Sequence, residues 1–193
     1  MIEDLISEIP KSRRIVLDLG MGDGRLLGNI SYKDKKSFFI GIEINPDHFR
    51  QASSIIKSQN VKLINGSFEK ILPLFKDNSI NQVFSILPDP KFIDKNHKHE
   101  WENLYKLIYN KLEQLGIFIL ITEITNELFQ PVEDNVLYNE MIWMKNFFEA
   151  LGYITVECSE GYPEKYATSF LKTFSGDMRR IRILYFEFIK PKR

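Results

Sequence analysis

A loop with three glycines at alternate positions is the part of this 193-residue sequence best suited to chemistry. The apolar run 15–17 ends at Asp18, and Gly20, Gly22 and Gly24 follow before a predicted helix. Because glycine has no Cβ and readily adopts positive φ values, the backbone of such a loop can approach a ligand closely. The helix that follows directs its free amides toward the same point. The pattern predicts a small-molecule site at the end of the first strand.

Acidic residues distinguish this loop from the dinucleotide-binding pattern G-x-G-x-x-G, which places a pyrophosphate on a helix N-terminus. Here the spacing is G-x-G-x-G, and the carboxylates of Asp18 and Asp23 would repel a pyrophosphate. Carboxylates attract an ammonium or a sulfonium group instead. Glu43 ends the second predicted strand, 19 positions after Gly24. An acid at about this distance is placed to accept hydrogen bonds from ribose hydroxyls.

Together these two features resemble the first motifs of Rossmann-like S-adenosylmethionine (SAM) methyltransferases. The resemblance implies that Asp18, Gly20 and Gly22 bind the methionine part of SAM and that Glu43 binds the ribose. SAM is the implied cofactor, S-adenosylhomocysteine is the product, and no metal is expected. The alternative is a glycine turn in another kind of α/β domain.

The amino-acid composition limits the number of domains and the kinds of partner that we expect. A hydrophobic content of 44% fits a single domain over residues 1–193 with a sizeable core. The 26 basic and 26 acidic residues balance, so any RNA binding must use a local patch. The single cysteine, Cys158, suits a reducing cytosol, and we expect a cytoplasmic protein; its alternative role is a buried small hydrophobe. No membrane span, signal peptide or structural zinc cluster is expected.

Strand and helix signals alternate along the chain, which is typical of a parallel sheet flanked by helices. Strands are predicted over residues 14–19, 37–43, 61–64, 80–87, 117–122, 154–158 and 181–189. Helices are predicted over residues 23–30, 46–58, 99–114 and 136–151. The predicted fold class is therefore α/β. Seven strands in this rhythm resemble the layout of the Rossmann-like methyltransferases, which implies a mostly parallel sheet with an antiparallel last strand and helices on both faces.

Ligands of such sheets bind outside the carboxyl ends of the strands. After the third strand, Asn65, Gly66, Ser67 and Phe68 are expected around the adenine of SAM, with Phe68 packing on its face. The alternative makes Phe68 a core residue and Ser67 a helix cap. After the fourth strand, Leu87 is expected beside the cofactor.

The next residues, Pro88, Asp89 and Pro90, fix the backbone where a methyl acceptor should lie. The Asp89 carboxylate can accept hydrogen bonds from the Watson–Crick edge of guanine. The alternative interpretation is a plain turn that ends the strand.

This turn and the basic, histidine-containing stretch after it resemble the tRNA (guanine-N(7)-)-methyltransferases, whose pattern there is Pro-Asp-Pro-Trp-Pro and then a basic run. Further on, Thr168 and Phe170 match the Thr-x-Phe-Glu element of that family. The resemblance implies a tRNA substrate, with Asp89 and Thr168 as catalytic residues that hold the guanine. The substrate-binding residues that it implies are Pro88, Asp89, Pro90, Lys91, Lys95, Lys98, Thr168 and Phe170.

Several positions depart from that family pattern. Lys91 and Phe92 replace Trp-Pro, Asp94 interrupts the basic run, and Leu171 stands where a glutamate is expected. Two alternatives therefore stay open. One is a SAM-dependent methyltransferase of a small molecule or protein, and the other is a non-catalytic SAM- or RNA-binding partner subunit. A monomer or a homodimer is expected.

Two local patches are candidates for RNA contact through phosphate. One is the loop 91–99, whose His97 and His99 are expected near phosphate or simply in solvent, with a metal site as the weaker alternative. The other is the segment 162–193, which carries eight basic residues against three acidic ones. The basic residues are Lys165, Lys172, Arg179, Arg180, Arg182, Lys190, Lys192 and Arg193. The alternative places Arg180 and Arg182 on the solvent face of the last strand.

Overall fold

Seven strands form one mixed sheet in the computed structural model, which describes residues 10, 13–126, 130–174, 177 and 179–192. The strands are β1 (Ile15–Leu19), β2 (Phe38–Glu43), β3 (Val61–Asn65), β4 (Ile80–Ile86), β5 (Leu112–Ile124), β6 (Ile154–Glu160) and β7 (Arg182–Ile189). The helices are α1 (Arg25–Lys33), α2 (Pro46–Ile55), α3 (Phe68–Ile71), α4 (Lys98–Lys111), α5 (Asp134–Ala150) and α6 (Ser169–Phe174).

The strand order is β3-β2-β1-β4-β5-β7-β6. Strands β1 to β5 pair in parallel, whereas β7 lies antiparallel between β5 and β6. This arrangement confirms the predicted fold class. Because β1, β2 and β4 are parallel neighbours of matched register, their carboxyl ends reach the same edge of the sheet. The residues that follow each of these strands therefore meet there.

Each face of the sheet carries its own apolar core. On one face, α1, α2 and α6 contribute Leu27, Ala52 and Leu171, all fully buried. On the other face, α4 and α5 contribute an aromatic cluster in which the rings of Tyr105 and Phe148 meet edge to face at 5.0 Å. The two cores hold the strands in a fixed plane, so the loops at the carboxyl edge extend from a rigid support.

The helix predicted over residues 99–114 ends earlier, at Lys111, and β5 begins directly at Leu112. The reason is a tertiary contact. The buried amino group of Lys190 donates hydrogen bonds to the carbonyls of Tyr109 (2.8 Å) and Leu112 (2.7 Å), and Leu115 N donates to the carbonyl of Lys190. These bonds satisfy the last carbonyls of α4 and turn the chain into the strand. The short helix α6 was not predicted either.

Gly24, the third glycine of the loop, is needed for packing. It has a φ of 74° at the start of α1, a conformation that costs other residues about 1–2 kcal/mol. A Cβ at this position would also lie 2.7 Å from the Cβ of Ala52 in α2. Gly24 therefore permits the close approach of α1 and α2.

We predict that Gly24→Ala lowers the melting temperature by roughly 2 °C or more beyond the effect of Gly22→Ala, since overpacking adds about 1–3 kcal/mol to the same backbone strain. Gly22 is the matched control because its φ is also positive, at 57°, but a Cβ there meets nothing within 4 Å. Thermal unfolding followed by circular dichroism measures both. Equal melting temperatures for the two variants would contradict this account of Gly24.

Candidate active site

A cavity of about 440 Å³ opens at the carboxyl edge of the sheet. This volume lies in the range of small-molecule sites. Its walls come from the glycine loop after β1, the end of β2, the start of α3, the turn after β4, the end of β5 and the start of α6. The cavity therefore joins segments that are far apart in the sequence, as expected for a site of an open α/β sheet.

The glycine loop is pinned to the end of β2. The amides of Gly20 and Met21 both donate to the carbonyl of Ile42, at 2.9 and 3.0 Å, and the amide of Gly22 donates to Oε2 of Glu43 at 2.9 Å. Gly20 and Gly22 line the cavity, and a Cβ on either would meet no atom within 4 Å. The loop thus presents bare backbone to open space that a ligand can fill.

Asp18 lies at the base of the cavity and is only 2% exposed. Burial, and then the nearby charge of Glu43, raise the pKa of Asp18 to about 7. Among the residues that the structure describes, none donates a hydrogen bond to its carboxylate, which borders the cavity. A buried carboxylate without a donor is costly, so this position favours a positively charged ligand group.

Glu43, by contrast, is well supported although it is only 7% exposed. Its Oε1 accepts from the amide of Asn45 at 2.7 Å, and its Oε2 accepts from the amide of Gly22. A carboxylate has about four lone-pair sites, so two remain for donors in the cavity. The two amides fix the orientation of the carboxylate at the cavity wall.

Most of the predicted site residues do line this cavity. They are Asp18, Gly20, Gly22, Glu43, Ser67, Phe68, Leu87, Pro88, Asp89, Pro90, Lys91, Thr168 and Phe170. Asn65 and Gly66 do not; the side-chain amide of Asn65 and the main-chain amide of Gly66 both donate to the carbonyl of Glu43, at 2.8 and 2.9 Å. They hold β3 to β2 behind the cavity wall.

Lys95 and Lys98 also lie outside the cavity lining. Lys95 forms an ion pair with Glu140 of α5, and the Lys98 amino group lies 3.9 Å from Glu102. His97 bonds to Asp94, which raises the pKa of the imidazole through the hydrogen bond and the neighbouring charge. The loop 91–99 therefore carries much of its positive charge in pairs with acids.

The turn after β4 is strained and well anchored. Leu87 has a φ of 51°, which is uncommon for a residue with a side chain, and its amide donates to the carbonyl of Ile121 at 2.7 Å. Asp89 begins the 3-10 turn Pro90–Phe92 by accepting from the amide of Lys91 at 3.1 Å. The ring of Phe92 packs against Phe68 at 5.2 Å. The turn thus holds Asp89 at the mouth of the cavity.

Glu123, near the end of β5, is a candidate site residue that sequence analysis missed. It lines the cavity, and its pKa is raised by burial and then by the charge of Asp89. Glu123 directly follows the strand predicted to end at residue 122. The rule that drew attention to Asp18 and Asp89, an acid at the carboxyl end of an apolar strand, would have found it.

The start of α6 crosses over the glycine loop. The Ser169 hydroxyl donates to Oδ2 of Asp23 at 2.9 Å and accepts from Arg25 Nη1 at 3.3 Å. Asp23 is therefore bonded within the protein while it lines the cavity, and the expectation that its carboxylate attracts a cationic ligand stays a prediction. The ring of Phe170 meets His48 edge to face at 5.9 Å. Ser169, Asp23 and His48 join this side of the cavity lining.

Thr168 and Leu171 explain how the family element is used here. Thr168 lines the cavity, and its hydroxyl accepts from the amide of Leu171 at 3.1 Å, which caps α6. Leu171 is fully buried in the core beneath α6. The residue that replaces the expected glutamate is thus a core residue, and its side chain does not reach the cavity lining.

The segment 162–193 carries less free positive charge than its composition indicates. Lys190 is buried and bonded to main-chain carbonyls, so its prediction as an RNA contact is corrected. Arg182 is only 12% exposed and pairs with Asp134 and Glu160, each at 2.7 Å, while Arg180 pairs with Asp177 at 2.6 Å. Arg193 lies outside the described residues.

Within the described part of the chain, no group of three or more histidine, cysteine, aspartate or glutamate side chains is arranged to hold a metal ion. None of the helices there combines the length and apolar character needed to cross a membrane.

Solved structures with the same fold cover nearly all of the chain. The 16S rRNA methyltransferase KamB superposes with a TM-score of 0.73 over 98% of this chain and 93% of its own, at 12% identity. The 16S rRNA (adenine(1408)-N(1))-methyltransferase from Catenulisporales acidiphilia, solved with cosubstrate SAM, has a TM-score of 0.69 over 100% and 92%, also at 12% identity. At such identity these likenesses establish the methyltransferase fold alone.

Sequence relatives are methyltransferases. The bifunctional methyltransferase of Rickettsia conorii is 26% identical over 136 residues, covering 68% of this chain and 25% of that protein. The tRNA (guanine-N(7)-)-methyltransferase of Christiangramia forsetii is 32% identical over 114 residues, covering 56% and 51%. That of Prochlorococcus marinus subsp. pastoris is 30% identical over 126 residues, covering 61% and 60%. The matched part of the chain thus spans between a quarter and three fifths of these relatives.

The model of one protein family, Methyltransf_4, described as "Putative methyltransferase", matches residues 12–145. The matched residues include the glycine loop, Glu43, the turn around Asp89 and Glu123. The chain therefore belongs to this methyltransferase family, that of the tRNA (guanine-N(7)-)-methyltransferases, as the resemblance predicted.

Proposed function

We propose that this chain binds SAM in the cavity and methylates the N7 position of a guanine in tRNA. The observation that carries the proposal is the buried carboxylate of Asp18, which has no hydrogen-bond donor and lies beneath an open glycine loop beside Glu43. SAM brings both an ammonium and a sulfonium group, and such cations compensate the charge that burial penalises. Other residues of the cavity wall are placed to contact the ribose and the adenine of SAM.

In the proposed complex, the methionine ammonium of SAM pairs with Asp18. The ribose hydroxyls donate to the two lone-pair sites of Glu43 that its amide partners leave free, and the adenine lies beside Phe68. The hydroxyls suit Glu43 because its amide partners, Gly22 and Asn45, already fix the carboxylate plane. When bound, SAM supplies a methyl group activated by its sulfonium sulfur. Gly20 and Gly22 leave room for the methionine chain.

The acceptor side of the cavity carries two carboxylates that lie close enough to affect each other, Asp89 and Glu123. We propose that they accept hydrogen bonds from the N–H groups on the guanine edge, with Thr168 in support. Guanine N7 already carries a lone pair, so the transfer needs no general base. The protein contributes by holding the acceptor in line with the methyl group, which can supply several kcal/mol of barrier lowering.

The tRNA substrate is proposed from the family and from relatives that are named tRNA (guanine-N(7)-)-methyltransferases. The exposed position of Asp89 at the cavity mouth fits a large acceptor that inserts only one base. A base of a folded RNA must leave its stack to reach such a pocket.

A small-molecule acceptor is the second candidate. It is favoured by the ion pairs that Lys95 and Lys98 form with acids. It is also favoured by Leu171, an uncharged residue at the position where the family pattern has a glutamate. Methylation of a small molecule would be insensitive to salt, whereas phosphate contacts weaken strongly between about 50 and 200 mM salt.

We predict that Asp18→Asn stabilises the free protein at pH 8 while weakening SAM binding by roughly 10- to 100-fold. The folded-state pKa of about 7 lies above the ordinary value of 3.8, so folding disfavours the charged form. The penalty is absent near pH 4, grows as the pH rises, and is complete above pH 7. The gain in melting temperature should therefore be larger at pH 8 than at pH 4.5.

Asp77→Asn is the matched control, since Asp77 lies away from the cavity and pairs with Lys111. It should leave SAM affinity unchanged in calorimetry. If Asp18→Asn left SAM affinity intact, the assignment of Asp18 to the ammonium would be wrong.

We predict that Glu43→Ala weakens SAM binding by about 10- to 100-fold, because bonds to the ribose are lost and the amides of Gly22 and Asn45 lose their acceptor. Calorimetric titration measures the effect. Glu102→Gln in α4 serves as the control, because this acid pairs only with exposed lysines. Unchanged affinity in Glu43→Ala would remove Glu43 from the site.

The whole proposal is tested by incubating the protein with methyl-labelled SAM and unmodified tRNA and analysing the nucleosides by mass spectrometry. We predict labelled 7-methylguanosine, and a loss of at least 100-fold in kcat for Asp89→Ala and Glu123→Gln with SAM affinity retained. Glu100→Gln, an exposed acid outside the cavity, is the control. SAM binding without any labelled nucleoside would overturn the tRNA assignment, and would direct attention to the small-molecule candidate.

A further inference from the structure

A second concave surface, the α1–α2 groove, lies between these two helices. It is lined by Arg25, Gly28, Asn29, Ser31, Tyr32, Lys35, Ile55, Ile56, Lys57 and Ser58 and encloses about 610 Å³. Its lining holds three cationic side chains and no carboxylate. In a chain with balanced charge, a concave surface with only positive side chains concentrates a positive potential.

The lysines of the groove are not neutralised by acids. Among the described residues, Lys35 and Lys57 form no ion pair; the amino group of Lys35 contacts the Ser58 hydroxyl at 3.1 Å, and that of Lys57 donates to the carbonyl of Ser53 at 2.8 Å. The nearby Asp34 is occupied by the Ser37 hydroxyl and by the amides of residues 36 and 37. The two groove lysines thus differ from Lys95, Lys98, Arg180 and Arg182, which are paired with carboxylates. The third cation of the groove, Arg25, lies 3.5 Å from the carboxylate of Asp23.

An exposed aromatic ring adds a second recognition element. Tyr32 is 76% exposed, and the amino group of Lys35 lies 4.8 Å from the centre of its ring. A flat ring beside a cation is what single-stranded or flipped bases stack on. Because the ring of Tyr32 is mostly exposed, its face is accessible to a base that lies in the groove.

The groove begins at the active site. Arg25 lines it at one end, and the same guanidinium contacts Ser169, a residue of the cavity lining. From Arg25, α1 runs for nine residues, about 13 Å, toward Lys35. This length exceeds that of a single phosphate, so the groove suits a continuous polyanion that enters from the cavity side.

We propose that the α1–α2 groove binds the phosphate backbone of the RNA whose guanine enters the cavity, with Tyr32 stacking on one of its bases. This inference rests on the proposed function and adds to it the surface that positions the RNA. Arg25, Lys35 and Lys57 supply the phosphate contacts, and Asn29 and Ser58 offer polar groups for the sugar. The groove then adds a surface for RNA to the two patches predicted from sequence, in which Lys95, Arg180 and Arg182 are paired with acids.

The test is the binding of unmodified tRNA by Lys35→Ala/Lys57→Ala as a function of salt. The double variant should bind about tenfold or more weakly at 100 mM salt, and its slope of log K against log salt should be shallower by roughly 1.4–1.8, as expected for two lost phosphate contacts. Lys70→Ala/Lys76→Ala, exposed lysines outside both concave surfaces, is matched in charge and should bind like the wild type.

Further measurements separate the possible failures. SAM affinity should be unchanged in Lys35→Ala/Lys57→Ala, which shows that the variant is folded, and Tyr32→Ala should weaken binding with an unchanged salt slope. If the wild type methylates tRNA and Lys35→Ala/Lys57→Ala keeps the wild-type slope, the groove assignment is wrong while the proposed function stands. If the wild type neither binds nor methylates tRNA, both are overturned.

Discussion

Two main-chain amides of the glycine loop, at Gly20 and Met21, share the carbonyl of Ile42, while the next amide, at Gly22, binds the carboxylate of Glu43. These bonds attach the loop to the neighbouring strand, and the site depends on that attachment. They bring Asp18 and Glu43 close enough for one charge to raise the pKa of the other. They also leave the backbone of Gly20 and Gly22 facing open space in the cavity.

The same attachment has an energetic cost that a cationic ligand can offset. Asp18 is buried without a donor, and Leu87 holds a backbone conformation that side chains disfavour. Costs of this kind cluster at functional sites, where surrounding structure maintains them. Here the two cores on either side of the sheet provide that support, since their packed helices hold β1, β2 and β4 in register. The packing of the two cores thus compensates for the buried carboxylate of Asp18 and the strained backbone of Leu87 at the carboxyl edge of the sheet.

The alternation of strands and helices predicted the α/β class, because apolar periodicity is a local property of the chain; the antiparallel last strand was implied by the resemblance to the methyltransferases. The cofactor side of the cavity followed as well, since Asp18 and Glu43 end neighbouring parallel strands and must meet. Asn65 and Gly66 also lie at the carboxyl end of a parallel strand. They nevertheless donate hydrogen bonds to the main-chain carbonyl of Glu43 and lie behind the cavity wall. Such bonds depend on side-chain direction, which strand position alone does not specify.

The charges were the least predictable feature. Lys190 and Arg182 both contribute to the positive charge of the composition. In the fold, however, Lys190 is buried and donates to main-chain carbonyls, and Arg182 forms ion pairs with two acids that are distant in the sequence. Lys35 and Lys57, by contrast, lie close together in the fold without an acidic partner among the described residues, although they are 22 positions apart in the sequence. The use of Leu171 in the core likewise depends on the unpredicted helix α6. Pairing and burial are tertiary properties, and only the folded chain shows them.

The central claim is that the cavity binds SAM through a buried carboxylate whose charge the free protein disfavours. The most direct measurement is the number of protons released when SAM binds, obtained by calorimetry in buffers of different ionisation enthalpy. The raised pKa of Asp18 predicts a release that approaches one proton near pH 6 and declines above pH 7 as the free carboxyl ionises. SAM binding with no proton release across this range would contradict the claim.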